Sequence, residues 1–192
     1  MRTLATAATI KHMKSQVEPA QWNTMWNANF PEQVGVLVQF AEALSPSKEF
    51  LIKGHVFQAV EVGHTDTKDT TVLYVPDLKL AVCGGVVHGD GYQLLLEANS
   101  KEKRIEWILA IEKVRELKFK TVVAGHQRPG ALDGVYNLDA TQEYIGNFER
   151  LLESSQSMER LFDGMMKIYP NRLNARPLMS SCKAAFASKQ VS

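Results

Sequence analysis

Cysteine is scarce in this sequence. Only Cys83 and Cys182 occur in 192 residues, too few and too far apart for a disulfide framework or a Cys-x-x-Cys zinc site. They read as reduced thiols of an intracellular, cytoplasmic protein. Charge of one sign is also lacking, with 22 basic against 21 acidic side chains, so nothing electrostatic points to a nucleic acid or an anionic membrane as partner. The basic positions from Lys101 to Lys120 alternate with glutamates and form a solvated helix face. No apolar run approaches the roughly 18 to 20 residues of a membrane span, since charges interrupt even the stretch from Leu78 to Val87. The N-terminus carries Arg2, Lys11 and Lys14 before its first acid, Glu18. It lacks an apolar secretory core, and it reads better as a capped helix than as a transit peptide. Repeats, low-complexity tracts and linkers are missing, which leaves one domain over residues 1–192. A phosphate loop is missing too: Gly84-Gly85 and Gly89-Asp90-Gly91 lack the lysine or helix start it needs. Ser180-Ser181-Cys182 has no adjacent base to activate a nucleophile and reads as a terminal helix cap.

What is present is an ordinary globular composition, 45% apolar and 22% charged, in a chain long enough to bury roughly 70% of its unfolded surface. Thr6 to Gln16 has helical spacing, with Thr6 or Thr9 to cap it and Pro19 to stop it. Trp22, Met25 and Trp26 follow at i, i+3 and i+4, in a helical piece that must end before Phe30-Pro31. They read as core packing, with an apolar lip for a substrate or partner as the alternative. From Glu49 the period becomes that of strands, and Gly54-His55 is expected as a hairpin turn. A second hairpin is expected from Thr71 to Val75 and Leu80 to Cys83, around Pro76-Asp77-Leu78-Lys79. Ser100 to Lys118 is a helix capped by Ser100, with Ile105, Ile108, Leu109, Ile111, Val114 and Leu117 on one side and Arg104 on its polar face. Thr121 to Ala124 is a buried strand closed by Gly125-His126, and Thr141 to Ser154, Met158 to Ile168 and Met179 to Ala187 are helical.

Five histidines are present: His12, His55, His64, His88 and His126. His64 and His126 share a setting, each following a glycine at the end of an expected strand, where a loop can aim an imidazole into a cleft. Metal ligands are built in such places, and His64 stands beside a turn rich in Thr and Asp.

These residues carry a resemblance. Gly63-His64-Thr65-Asp66-Thr67, then Asp69 to Pro76, then Cys83-Gly84-Gly85-Val86-Val87, then Thr121 to His126, are similar in order and spacing to the metallo-β-lactamase superfamily of zinc hydrolases. The flanks resemble it as well, from Ala5 to Met13 and from Tyr169 to Ala185. The resemblance implies an α/β (α+β) chain built as an incomplete αββα sandwich. It implies zinc, with His64 matching the histidine that completes a first site and His126 the late histidine of a second. Thr65 and Asp66 would then support the ligands from the adjoining turn. Two departures stand against a working centre. The family's His-x-His-x-Asp-His motif occurs nowhere in the sequence, which reads as though it began just after it. Gly85 stands where the family's metal-bridging aspartate is expected, and glycine cannot ligate. His88 or Asp90 could substitute, although a polar surface loop is the plainer reading of both.

The implied parent chemistry is metal-assisted hydrolysis of a lactam, lactone, ester or thioester, in detoxification or secondary metabolism and impaired in this chain. A different class of function is a non-catalytic interaction module, in which an exposed sheet edge and the Trp22/Trp26 surface meet a second copy or a protein partner.

Overall fold

A computed structural model describes residues 2–35 and 38–189, apart from the side chains of Gln21 and Met25. The Met25 packing expectation therefore lies outside the described residues. The elements run β1 (Leu4–Ala5), α1 (Ala7–Gln16), α2 (Pro19–Gln21), a π-helical turn (Trp22–Asn27), β2 (Glu42–Ala43), β3 (Glu49–Ile52), β4 (His55–Gly63), β5 (Thr70–Val75) and β6 (Leu80–His88). They continue with α3 (Lys101–Arg115), β7 (Thr121–Gly125), α4 (Tyr136–Ser154), α5 (Met158–Ile168) and α6 (Arg176–Lys189). One sheet has the order β3-β4-β5-β6-β7, and β1 pairs with β2 apart from it. The strands from β3 to β6 are antiparallel neighbours, whereas β6 and β7 run parallel, so the link between those two must cross over, and α3 supplies it.

Local chemistry explains most boundaries. The Thr6 hydroxyl accepts from the Thr9 amide at the start of α1, and Ser100 and Ser157 do the same for the Lys103 and Arg160 amides of α3 and α5. Each satisfies a helix-end donor that has no carbonyl partner. The first hairpin turns one residue earlier than expected, at Lys53-Gly54, with Ile52 paired to His55. Both turn residues have positive φ, +50° and +86°, as a type I′ turn requires to match the strand twist.

The core gathers on one side of the sheet, where α3 packs against β4 and β6 while α4 packs against β6 and α3. Trp107, Tyr144, Phe148, Leu138 and Ile111 are its largest members. The buried face of α3 is Arg104, Trp107, Ala110, Ile111 and Val114, rotated from the expected one. Ile105 and Leu109 are exposed, whereas Arg104 leaves the expected polar face for the interior. There it donates to Glu149 at 2.5 Å and to the Ala98 carbonyl at 3.0 Å, and this pairing allows a buried cation. Ser181 is likewise no terminal cap. It lies inside α6, buried, donating to the Pro177 carbonyl and accepting from the Leu95 amide. Trp22 and Trp26 are half-buried, outside the main core cluster. Among the described residues no helix is long and apolar enough to cross a membrane.

Candidate metal centre

The parallel pair β6–β7 builds the centre. Its register runs regularly to Val82↔Val123, then Gly84 pairs Ala124 and His88 pairs Gly125. Between those last two pairings β6 advances four residues and β7 one. The excess is a bulge of Gly85, Val86 and Val87, and bulges re-aim side chains at strand ends. This one carries His88 to the level of Gly125, directly beside His126. Two helices hold it: the Trp107 indole of α3 donates to the Val86 carbonyl at 2.9 Å, and the Thr141 hydroxyl of α4 accepts from the His88 amide at 3.0 Å.

His126 is a non-glycine residue at φ +50°, a left-handed backbone that histidine tolerates better than most but that still costs energy. The Gly91 amide donates to its carbonyl at 2.9 Å, and Arg172 donates to the Gly89 and Gly91 carbonyls at 3.1 and 2.7 Å. The loop after His88 is thereby tied to the loop at His126.

Asp66 arrives from the turn between β4 and β5. The buried Thr65 hydroxyl donates to Asp66 Oδ1 at 2.9 Å, and the Thr65 amide donates to the Thr67 carbonyl at 2.8 Å. One ligand atom each of Asp66, His88 and His126 lie within 4.8 Å of one another. His88 is 1% exposed, and neither of its ring nitrogens has a hydrogen-bond partner among the described residues. Buried polar atoms are seldom left so, and an ion among the three groups would take up one of the two nitrogens. Burial, then the neighbouring charges of His126 and Arg172, push the His88 imidazolium down to about 3. At neutral pH the ring is uncharged, with a lone pair to donate. Asp66 is half-buried and His126 exposed, so the group is closed behind His88 and open on the His126 side. Two imidazoles and a carboxylate match the three-ligand sets that hold a catalytic divalent ion while leaving a position for water.

Of the residues singled out from sequence, His126 is in this group and Asp66 joins it as a ligand-bearing carboxylate. Thr65 supports Asp66. His64 is not in the group, and its buried Nε2 lacks a hydrogen-bond partner among the described residues. The polar surface loop expected at His88 is overturned by its burial at the end of β6. Asp90 is turned to Arg128, with which it forms an ion pair. A nearby cleft of about 520 Å³ is lined by Gly89 and Gln127, which directly follow the two histidines, and by Leu132 and Tyr136.

No protein-family model matches the sequence, and no curated protein matches it. Solved structures do. A β-lactamase domain protein from Burkholderia ambifaria superposes over 96% of this chain and 59% of its own, with a TM-score of 0.62 at 13% identity. A metallo-β-lactamase family protein from Thermus thermophilus superposes over 99% of this chain and 67% of its own, with a TM-score of 0.58 at 12% identity. A metallo-β-lactamase from Pontibacter korlensis covers 77% of this chain and 59% of its own, with a TM-score of 0.51 at 19% identity. The fold is that of the metallo-β-lactamases. The resemblance in the motifs from Gly63 to His126 is borne out at the level of fold, as is the α/β class. This chain spans between 59% and 67% of the length of those three proteins. The cluster of Asp66, His88 and His126 stands at the ends of β6 and β7 and in the turn after β4.

Proposed function

We propose that this chain holds one divalent metal ion, zinc in the first instance, at Asp66, His88 and His126, and that its chemistry is hydrolytic. The observation that carries the reading is the convergence of three ligand atoms within 4.8 Å on a buried histidine whose ring nitrogens are unpartnered. A divalent ion in such a setting acidifies water and polarises a carbonyl oxygen. The chain's own residues supply the rest. Neutral His88 fixes the closed side, Asp66 brings one negative charge oriented by Thr65, and His126 faces the solvent. The cleft beside Gly89 and Gln127, with Leu132 and Tyr136 as an apolar wall, suits a small acyl compound such as a lactam, lactone, ester or thioester. With no carboxylate at residue 85 the centre is read as mononuclear, and the hydrolase as impaired relative to a two-metal site. Both cysteines are free thiols, which suits a reducing, cytoplasmic setting.

The test is metal content by mass spectrometry after dialysis, for the wild type and for Asp66→Ala, His88→Ala and His126→Ala. About one zinc per wild-type chain, lost in each variant, is expected, with a panel of lactams and lactones to follow. A wild-type chain that retains no metal would sink the reading.

A second reading, an interaction module, draws on β3, an edge strand of the sheet on which Leu51 and Ile52 are exposed at 69% and 48%. Unpaired, apolar strand edges recruit other strands. A concentration-dependent dimer by sedimentation that Leu51→Lys dissolves would favour it, and a monomer at all concentrations would end it.

A further inference from the structure

Two adjacent glycines in β6 are glycine for different reasons. Gly84 has φ +52°, and a Cβ there would meet nothing within 4 Å. It is glycine for its backbone, since few other residues accept that conformation. Gly85 is not among the residues of positive φ, so its backbone would accept a side chain. What a side chain there would have to displace is the Asp66 carboxylate. A Cβ on Gly85 would stand 2.7 Å from Asp66 Cγ and 2.9 Å from Oδ1, with Oδ2 closer still, and real Cβ atoms essentially never come within 3.0 Å of a neighbour. The Asp66 carboxylate thus occupies the volume of a residue-85 side chain. It is held there by the buried Thr65 hydroxyl on Oδ1, in the same group as His88 and His126.

We propose that Gly85 is what admits Asp66 to this centre as its carboxylate ligand, the missing side chain at residue 85 clearing the space that Asp66 fills. The inference rests on the metal reading above. It gives Gly85 the role of a positioning residue, the converse of a lost ligand.

Two measurements test it. Zinc affinity by chelator competition is compared for the wild type, Asp66→Ala, Gly85→Asp and the exchange Asp66→Ala/Gly85→Asp, with circular dichroism to establish that each is folded. Loss of a partner that merely orients a ligand costs 10–100-fold in affinity, so each single variant is expected to lose at least about that much, and the exchange to recover to within about tenfold of wild type. An exchange variant no better than the weaker single overturns the inference while leaving the metal reading intact, whereas wild-type affinity in Asp66→Ala overturns the inference together with Asp66 as a ligand in that reading. A wild type that binds no zinc instead removes the metal reading. The steric half is tested on metal-free protein, by comparing the melting temperature of Gly85→Ala in the Asp66 and Asp66→Ala backgrounds. A drop with Asp66 that shrinks without it is expected, and an equal drop in both backgrounds overturns the claim that Asp66 excludes a side chain at residue 85.

Discussion

The imidazole rings of His88 and His126 are stacked, with centroids 4.5 Å apart and planes 20° from parallel, although one ends β6 and the other follows β7. Two imidazolium ions at that separation would repel strongly, and burial already holds His88 uncharged. With both His88 nitrogens unpartnered, the stack contributes little to folding by itself. On the metal reading, a shared ion would give the two rings a common partner.

The price of that arrangement is measurable. Replacing His88 with leucine removes two buried nitrogens that lack partners, each worth about 1–3 kcal/mol when unsatisfied. In the presence of a chelator, His88→Leu is expected to be more stable than wild type by about 1 kcal/mol or more, while losing metal. Urea titration of both proteins checks the first half and zinc content the second. A less stable His88→Leu would show that the ring is satisfied as it stands.

The Arg104–Glu149 pair behaves in the opposite way. The Arg104 side chain is 4% exposed and Glu149 21%, so removing the acid strands a cation inside α3 and α4. Glu149→Ala is expected to cost about 3 kcal/mol, whereas Arg104→Met/Glu149→Leu, which replaces both partners with apolar groups, is expected to be near neutral. Denaturation midpoints of the two variants decide it, and equal losses would count against a desolvated cation.

Burial pushes both thiols, Cys83 and Cys182, from the ordinary 9.0 to about 12. Above pH 9 the unfolded chain releases these protons while the folded chain keeps them, so stability falls as pH rises, by about 1.4 kcal/mol per pH unit for each thiol. The loss is expected between pH 9 and about 12, and below pH 9 the thiols contribute no slope. Cys83→Ala/Cys182→Ala should flatten this limb in alkaline denaturation. At pH 8 neither native thiol should react with a disulfide reagent until the chain unfolds.

Lys53 holds a left-handed conformation, φ +50°, at the first position of its hairpin turn. Asparagine accepts that backbone more readily. Lys53→Asn is expected to stabilise the chain by about 1 kcal/mol, read as a raised melting temperature, and no change would mean that the turn carries little of the folding free energy.

Much of the fold was legible because it rests on local rules. Thr6 and Ser100 cap helices whatever they later pack against. Pro76-Asp77 marks the second hairpin, and the Val-rich run before Gly125 reads as a buried strand. Where packing chose between equivalent faces, sequence reading went astray: Ile105 and Leu109 have the right spacing for a core face, yet α3 buries Arg104 and Trp107 because the sheet and α4 meet it there.

The candidate centre divides in the same way. His126 after Gly125 was visible because a strand end followed by a polar loop is a local pattern, but the same pattern singled out His64, which lies outside the group, and Asp66 was expected only as a supporting residue through the resemblance. The association of Asp66 with His88 was decided only by tertiary structure. It depends on three extra residues bulging from β6 against β7 and on a glycine at residue 85 that leaves room for a carboxylate from the turn between β4 and β5. Sequence by itself determines which residue types stand at strand ends. Which of them share a few ångströms of space is set by register and excluded volume between segments distant in the chain, and no local pattern encodes either.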